Sequence, residues 1–146
     1  MVKTTSLIIL AYLVDETQCE TLATTGTDGC VNFLIFRLKA ALHSRIHRAG
    51  GFSAAGILEG MIHLMASDVN KVKVMEQGAL IVIVRMLQSR RYNDPLIDLY
   101  REQILAATAI WKLAFIDANR MILRNDSDVI QSKISFSAYR LTLCVK

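Results

Sequence analysis

The feature that most constrains this chain is a short motif that occurs twice, 49 residues apart. In each copy a leucine closes an apolar segment, an aspartate follows four residues later, and an asparagine follows two residues after that. The copies are Leu64, Asp68 and Asn70, and Leu113, Asp117 and Asn119. A weaker copy begins at Leu13, 51 residues before Leu64. Such a period is typical of helical repeats, which bury their apolar faces only by stacking on one another.

Apolar residues recur at three and four spacings through most of the chain, which predicts helices on both sides of each motif. Ser53 should cap the helix that follows it, and each motif aspartate should cap the helix that follows that aspartate. The β-branched run at 79–88 fits a buried strand or a helix, and the neighbouring helices favour a helix. Predicted helices cover residues 5–14, 18–23, 31–44, 54–65, 68–76, 79–88, 96 or 99 to 115, 119–124 and 129–143; residues 45–51 are predicted to be a basic loop.

Length and composition favour one helical domain. The chain has 146 residues, of which 53% are hydrophobic and 21% charged, enough to bury a sizeable core. One proline and seven glycines are too few turn residues for an all-β fold. The sequence therefore predicts a single all-α region over residues 1–146.

Two segments resemble the armadillo repeat. Residues 70–80 (Asn-Lys-Val-Lys-Val-Met-Glu-Gln-Gly-Ala-Leu) and 84–89 (Val-Arg-Met-Leu-Gln-Ser) resemble its pattern of Asn-Lys, Gly-Ala-Leu and a helix ending in Leu-Leu-x-Ser. Residues 109–114 (Ala-Ile-Trp-Lys-Leu-Ala) resemble its third helix. The resemblance implies a right-handed α-solenoid of about three armadillo-like repeats. The implied repeat remnants lie at about 5–26, 30–78 and 79–126, with a partial or divergent repeat at 128–146.

In an armadillo stack the third helix lines the concave groove, so the resemblance implies that its polar stripe faces a ligand. Arg101, Thr108 and Lys112 lie on one narrow stripe of the central helix. Transferring that stripe between units gives these partner-binding groove residues: Ile8, Tyr12, Glu59, His63, Thr108 and Lys112. The alternative is a solvated stripe with no partner. Trp111, one residue off the stripe, is predicted to pack in the core, with the edge of the groove as the alternative position.

No metal or disulfide is predicted. His43 and His47 are four residues apart, but no nearby carboxylate or thiol completes a zinc set. Cys19, Cys30 and Cys144 are an odd number without a CxxC pair, typical of reduced, mostly buried thiols in a cytoplasmic or nuclear protein.

Membrane association is not predicted either. Residues 7–14 resemble a signal-peptide core, yet they lack a small-x-small cleavage site and are too short to span a bilayer.

Enzymatic and nucleic-acid signals are weak. The chain lacks a nucleophile elbow, a phosphate-binding glycine loop and an HExxH motif, so we predict a non-enzyme without cofactors. A basic edge consists of Arg37, Lys39, Arg45, His47 and Arg48. Since no aromatic residues interleave with it, a solvated face is favoured over a nucleic-acid patch.

The sequence thus predicts a non-enzymatic protein–protein interaction scaffold that binds a peptide or a partner helix in its concave groove. Two alternatives remain: a regulatory or targeting repeat region of a larger multidomain protein, and a weak nucleic-acid binder that uses the basic edge. The first helix lacks a capping residue and residues 134–146 lose the repeat pattern, so a fragment of a longer array is expected.

An array without polar end repeats exposes apolar faces at both ends. We therefore expect the 146-residue chain to dimerise or aggregate when its mass distribution is measured by sedimentation velocity. A monodisperse monomer that melts cooperatively would contradict this expectation.

Overall fold

The computed structural model describes residues 2–13, residue 18, residues 29–89 and residues 97–126. Over these ranges the chain forms seven helices and one two-stranded hairpin, so the fold is mostly helical, in agreement with the prediction. The elements are α1 (Val2–Leu13), α2 (Cys30–His43), β1 (Arg48–Ala49), β2 (Phe52–Ser53), α3 (Ala54–Leu64), α4 (Asp68–Glu76), α5 (Ala79–Gln88), α6 (Leu99–Leu113) and α7 (Asp117–Asn125). Within the described ranges no helix has both the length and the apolar character to cross a bilayer.

Several predictions fall outside the described residues. They are the helices at 19–23 and 129–143, the divergent segment 128–146, Cys19, Cys144, and the side chains of Ile8 and Tyr12.

Helix α3 lies at the centre of the molecule and packs against α1, α2 and α6. Its N-cap is Ser53, whose hydroxyl oxygen accepts a hydrogen bond from the Gly56 N–H at 3.1 Å, as predicted. Eight of its eleven residues are buried, including Ile57, Leu58 and Met61. A helix that is apolar on nearly all sides must be covered on nearly all sides. Each such side chain contributes about 1.5–3 kcal/mol by leaving water.

Residues 79–88 form helix α5, which confirms the helical alternative for the β-branched run. The helix follows Gly78, which has a φ of 73° in the left-handed region. Val82, Ile83 and Val84 are all buried in contacts with the surrounding helices. Their burial outweighs the modest helix propensity of β-branched residues.

The predicted basic loop at 45–51 is in part a β-hairpin. Arg48 pairs with Ser53 and Ala49 pairs with Phe52. The two residues between the strands, Gly50 and Gly51, have φ values of 57° and 88°. A two-residue type I′ turn requires positive φ at both positions, which glycine adopts without strain. The Gly-Gly pair is therefore the sequence signal for this hairpin.

The motif aspartates do not cap their helices, contrary to the prediction. Asp68 and Asp117 are the first residues of α4 and α7, and neither helix has a side-chain hydrogen bond at its N-cap. The Asp68 carboxylate bonds to Lys71 Nζ at 2.5 Å, and Asp117 pairs with Arg120 in the same way. A carboxylate in the first helical turn also interacts favourably with the helix dipole.

The motif asparagines join their helices to earlier parts of the chain. Asn70 is fully buried, and its Nδ2 donates to the Leu64 carbonyl at the end of α3, at 2.9 Å. Asn119 is also buried, and its Nδ2 donates to the Lys71 carbonyl of α4 at 3.4 Å. The asparagines of the two motif copies are thus both buried, but their side chains donate to different carbonyls.

We predict that Asn70→Ala lowers the free energy of unfolding by about 1–3 kcal/mol, because the buried Leu64 carbonyl loses its donor. Urea unfolding followed by far-ultraviolet circular dichroism measures this change. Asn32→Ala, on the exposed side of α2, is the matched control and should stay within about 0.5 kcal/mol of the wild type. Equal stability of the two variants would refute a structural role for the Asn70 bond.

Candidate functional site

Helices α3 and α6 lie side by side and carry four of the six predicted groove residues. Arg101 of α6 donates from Nη2 to Glu59 Oε2 of α3 at 2.6 Å. The Arg101 side chain is 54% exposed, so this ion pair contributes only about 0–1 kcal/mol to stability. Its main effect is to bring the polar positions of the two helices together on one surface.

The other groove residues differ in their exposure and in the polar groups that a partner could reach. His63 is exposed in the last turn of α3, and Lys112 is half-buried in the last turn of α6. The Thr108 hydroxyl donates to the Ile104 carbonyl of its own helix at 2.9 Å. Such a bond occupies the hydroxyl donor, so Thr108 presents mainly its methyl group and an acceptor.

Trp111 is not in the core, contrary to the prediction. Its side chain is 62% exposed. The reason is the packed side of α6, where Ala106 and Ala109 are fully buried. These small residues bring α6 close to its neighbours and leave no volume there for an indole ring.

The exposed side of α6 is therefore more apolar than predicted. Compared with the predicted stripe of Arg101, Thr108 and Lys112, it extends around the helix to include Trp111. We call it the α6 stripe; it consists of Tyr100, Ile104, Thr108, Trp111 and, just past the helix, Phe115. The Trp111 and Phe115 rings meet edge to face with centroids 4.9 Å apart. Lys71 Nζ lies 5.9 Å from the Phe115 centroid, within range of a cation–π interaction. The stripe thus places four exposed apolar side chains, Tyr100, Ile104, Trp111 and Phe115, along α6 and just past its end.

A buried histidine–carboxylate pair, absent from the predicted site, joins the residue before the hairpin to α6. His47 is 4% exposed and Glu102 is 2% exposed. His47 Nδ1 lies 2.9 Å from Glu102 Oε2 and 3.2 Å from Oε1. His47 also has a φ of 49°, so its backbone takes the left-handed conformation that turns the ring inward.

Burial raises the pKa of the Glu102 carboxyl above its usual value. The hydrogen bond from His47 and its charge act in the opposite direction, while nearby Asp98 adds to the rise. When the Glu102 carboxyl is ionised it can only accept hydrogen bonds, and His47 Nδ1 is then the donor of this bond.

The two histidines considered as a zinc pair point to different partners. His43 is exposed, and its Nδ1 donates to the Lys39 carbonyl at 2.7 Å, whereas His47 turns inward to Glu102. Within the described ranges no three His, Cys, Asp or Glu side chains are grouped to hold a metal. The half-buried thiol of Cys30 has its pKa raised by burial.

The burial of the His47 side chain also divides the predicted basic edge. His47 leaves the surface, and Arg48 donates from Nη2 to the Gly51 carbonyl at 2.7 Å, across the hairpin turn. Arg45 is exposed. The predicted run of five basic residues therefore does not form one continuous surface.

A local signal for the buried pair exists in α6. Glu102 stands three residues after buried Leu99 and four before buried Ala106, a position where the helical period expects an apolar residue. Gln103 beside it is also buried, and its Nε2 donates to the Ser89 carbonyl at 3.0 Å. This bond satisfies a carbonyl at the end of α5. Polar residues at apolar positions thus indicate buried polar partners elsewhere in the chain.

Comparison with known protein families, with curated proteins and with solved structures gives no significant match for this chain.

We predict that His47→Asn lowers the free energy of unfolding by about 3–5 kcal/mol, because it leaves a buried carboxylate without its partner. Asparagine tolerates the left-handed backbone at this position, so backbone strain is not the cause. Adding Glu102→Gln, which removes the charge, should recover part of the loss. Urea unfolding of the single and double variants measures both effects.

The stability gap between these two variants should depend on pH. Without His47, burial keeps the folded-state pKa of Glu102 above the value of 4.5 that is usual for this carboxyl. A raised folded-state pKa stabilises the fold below the unfolded pKa, and that contribution is lost as pH rises through the folded pKa. His47→Asn should therefore become progressively less stable than the double variant as pH increases above about 4. A gap that does not change with pH would contradict the burial of this charge.

Proposed function

We propose that the chain is a non-enzymatic protein–protein interaction scaffold of armadillo type, which binds an extended peptide or a partner helix. The proposed binding surface is the α3–α6 face, defined as Glu59, His63, Lys112 and the α6 stripe. The observation that carries the proposal is the exposure of the stripe, with Tyr100 at 66%, Trp111 at 62% and Phe115 at 59%. Large exposed aromatic side chains in one row are unusual on a surface with no partner.

The order of helix packing supports a stack of repeats. The helices that precede the three motif copies are α1, α3 and α6, and α3 contacts both of the others. The helices between them, α2 and α5, also contact each other. The helices that follow the motif, α4 and α7, are linked by the bond from Asn119 to the Lys71 carbonyl. Contact between equivalent helices of successive units is what a stacked array requires.

The composition of the α3–α6 face suits a protein partner. Tryptophan, tyrosine and arginine are the residues most enriched among those that dominate binding energy at interfaces. Here Trp111 and Tyr100 lie on the same helix as Arg101, with the half-buried Lys112 beside them. A partner helix would place apolar residues at three and four spacings against Trp111 and Ile104, with polar groups towards Lys112 and the Glu59–Arg101 pair.

The same face would serve a regulatory region of a larger protein, in which case the bound segment would belong to the same polypeptide. Nucleic-acid binding through the basic edge has less support, because His47 is buried in its middle. A nucleic-acid backbone is bound by several accessible cations along one surface.

A peptide library selected on the immobilised protein tests the proposal without a known partner. We expect Trp111→Ala to weaken the selected peptides at least about tenfold, because truncating a central aromatic residue typically costs 2 kcal/mol or more at about 1.4 kcal/mol per factor of ten. His63→Glu combined with Lys112→Glu should weaken them as well. Dissociation constants from isothermal titration calorimetry measure both effects.

Met121→Ala is the matched control, since Met121 is 64% exposed but lies on α7. It should leave the dissociation constant unchanged. Peptides that bind the Trp111 and His63/Lys112 variants as tightly as the wild type would place binding elsewhere and refute the proposed face.

A further inference from the structure

A concave surface lies on other helices of the molecule. A cleft of about 410 Å³ opens between α2 and α5, next to the residues that lead into the hairpin. Four of its lining residues are basic or can become so: Lys39, His43, His47 and Arg85. None of them belongs to the α3–α6 face. The volume falls within the range of about 300–1,000 Å³ typical of small-molecule sites.

The charge of the cleft is positive and uncompensated. The described residues that line it include no aspartate or glutamate. Lys39 and Arg85 are both exposed, and in the described part of the chain neither forms an ion pair. Among the described residues, the only carboxylate bonded to a lining residue is Glu102, which lies behind His47 in the core. An anion in the cleft would therefore meet two cations that the described residues do not neutralise.

The cleft also has an apolar wall. Leu42 is half-buried, and Ile81 is 60% exposed although the other apolar residues of α5 are buried. An apolar group seated there would cover Ile81 and gain roughly 25 cal/mol for each Å² removed from water. The lining therefore suits a molecule with one charged end and one apolar end, and not a simple inorganic ion.

We propose that the α2–α5 cleft binds a small organic phosphate. Lys39 and Arg85 contact the phosphate oxygens, and the apolar body lies on Leu42 and Ile81. A phosphate dianion matches several donors better than a carboxylate does, since it has three terminal oxygens and up to two charges.

Titration of the full ¹⁵N-labelled chain with phenyl phosphate, followed by amide chemical shifts, tests the proposal. Saturable shifts should concentrate on α2 and α5. Arg85→Gln and Lys39→Gln should each raise the dissociation constant at least about tenfold, as expected for loss of a charge-assisted hydrogen bond. Both side chains are exposed, so both variants should keep the wild-type circular dichroism spectrum.

Arg124→Gln on α7 is the matched control, because it removes the same charge from an exposed site outside the cleft. It should bind phenyl phosphate as the wild type does. Benzoate should bind more weakly than phenyl phosphate, and the neutral benzyl alcohol more weakly still. Equal dissociation constants for Arg85→Gln and Arg124→Gln, shifts centred on other helices, benzoate binding as tight as that of phenyl phosphate, or no saturable shift would each overturn the proposal.

Discussion

The burial of α3 is the constraint on which the rest of the fold depends. A helix that is apolar around nearly its whole circumference is stable in water only if other elements enclose it. Here α1, α2 and α6 provide that enclosure, and the buried Ala54, Ala55 and Gly60 let them approach closely. With α3 covered in this way, the outer sides of α1 and α6 remain available to contact something else. The availability of the α6 stripe is thus a consequence of how α3 is covered.

Three buried polar contacts hold the connecting segments to this core. His47 attaches the hairpin to α6 through Glu102, Gln103 attaches the end of α5 to α6, and Asn70 attaches α4 to the end of α3. Each contact satisfies a group that would cost about 1–3 kcal/mol if it were buried alone. Apolar packing is not directional, so these bonds specify which parts of neighbouring segments meet.

The helices α2, α3 and α5 could be predicted from the sequence because their apolar spacing and, for α3, the Ser53 cap are local properties. Which side of a helix stays exposed is not decided by the local sequence. Both Trp111 and Ala109 fit an apolar pattern, and only the close approach of neighbouring helices decides that Ala109 is buried and Trp111 is not. His47 and Glu102 are 55 residues apart, and no spacing rule connects them. Their meeting depends on the glycine turn at 50–51 and on the packing of α6, both of which act through the tertiary structure.

The position of Trp111 has a consequence for spectroscopy. It is the only tryptophan of the chain, and its indole ring is largely in water in the folded state. Its emission spectrum should therefore resemble that of a hydrated indole both before and after unfolding, and it would be a poor monitor of the core. A molecule that covered the α6 stripe would remove the ring from water and move the emission to shorter wavelength. The intrinsic fluorescence of this protein should thus report occupancy of the surface more than integrity of the fold.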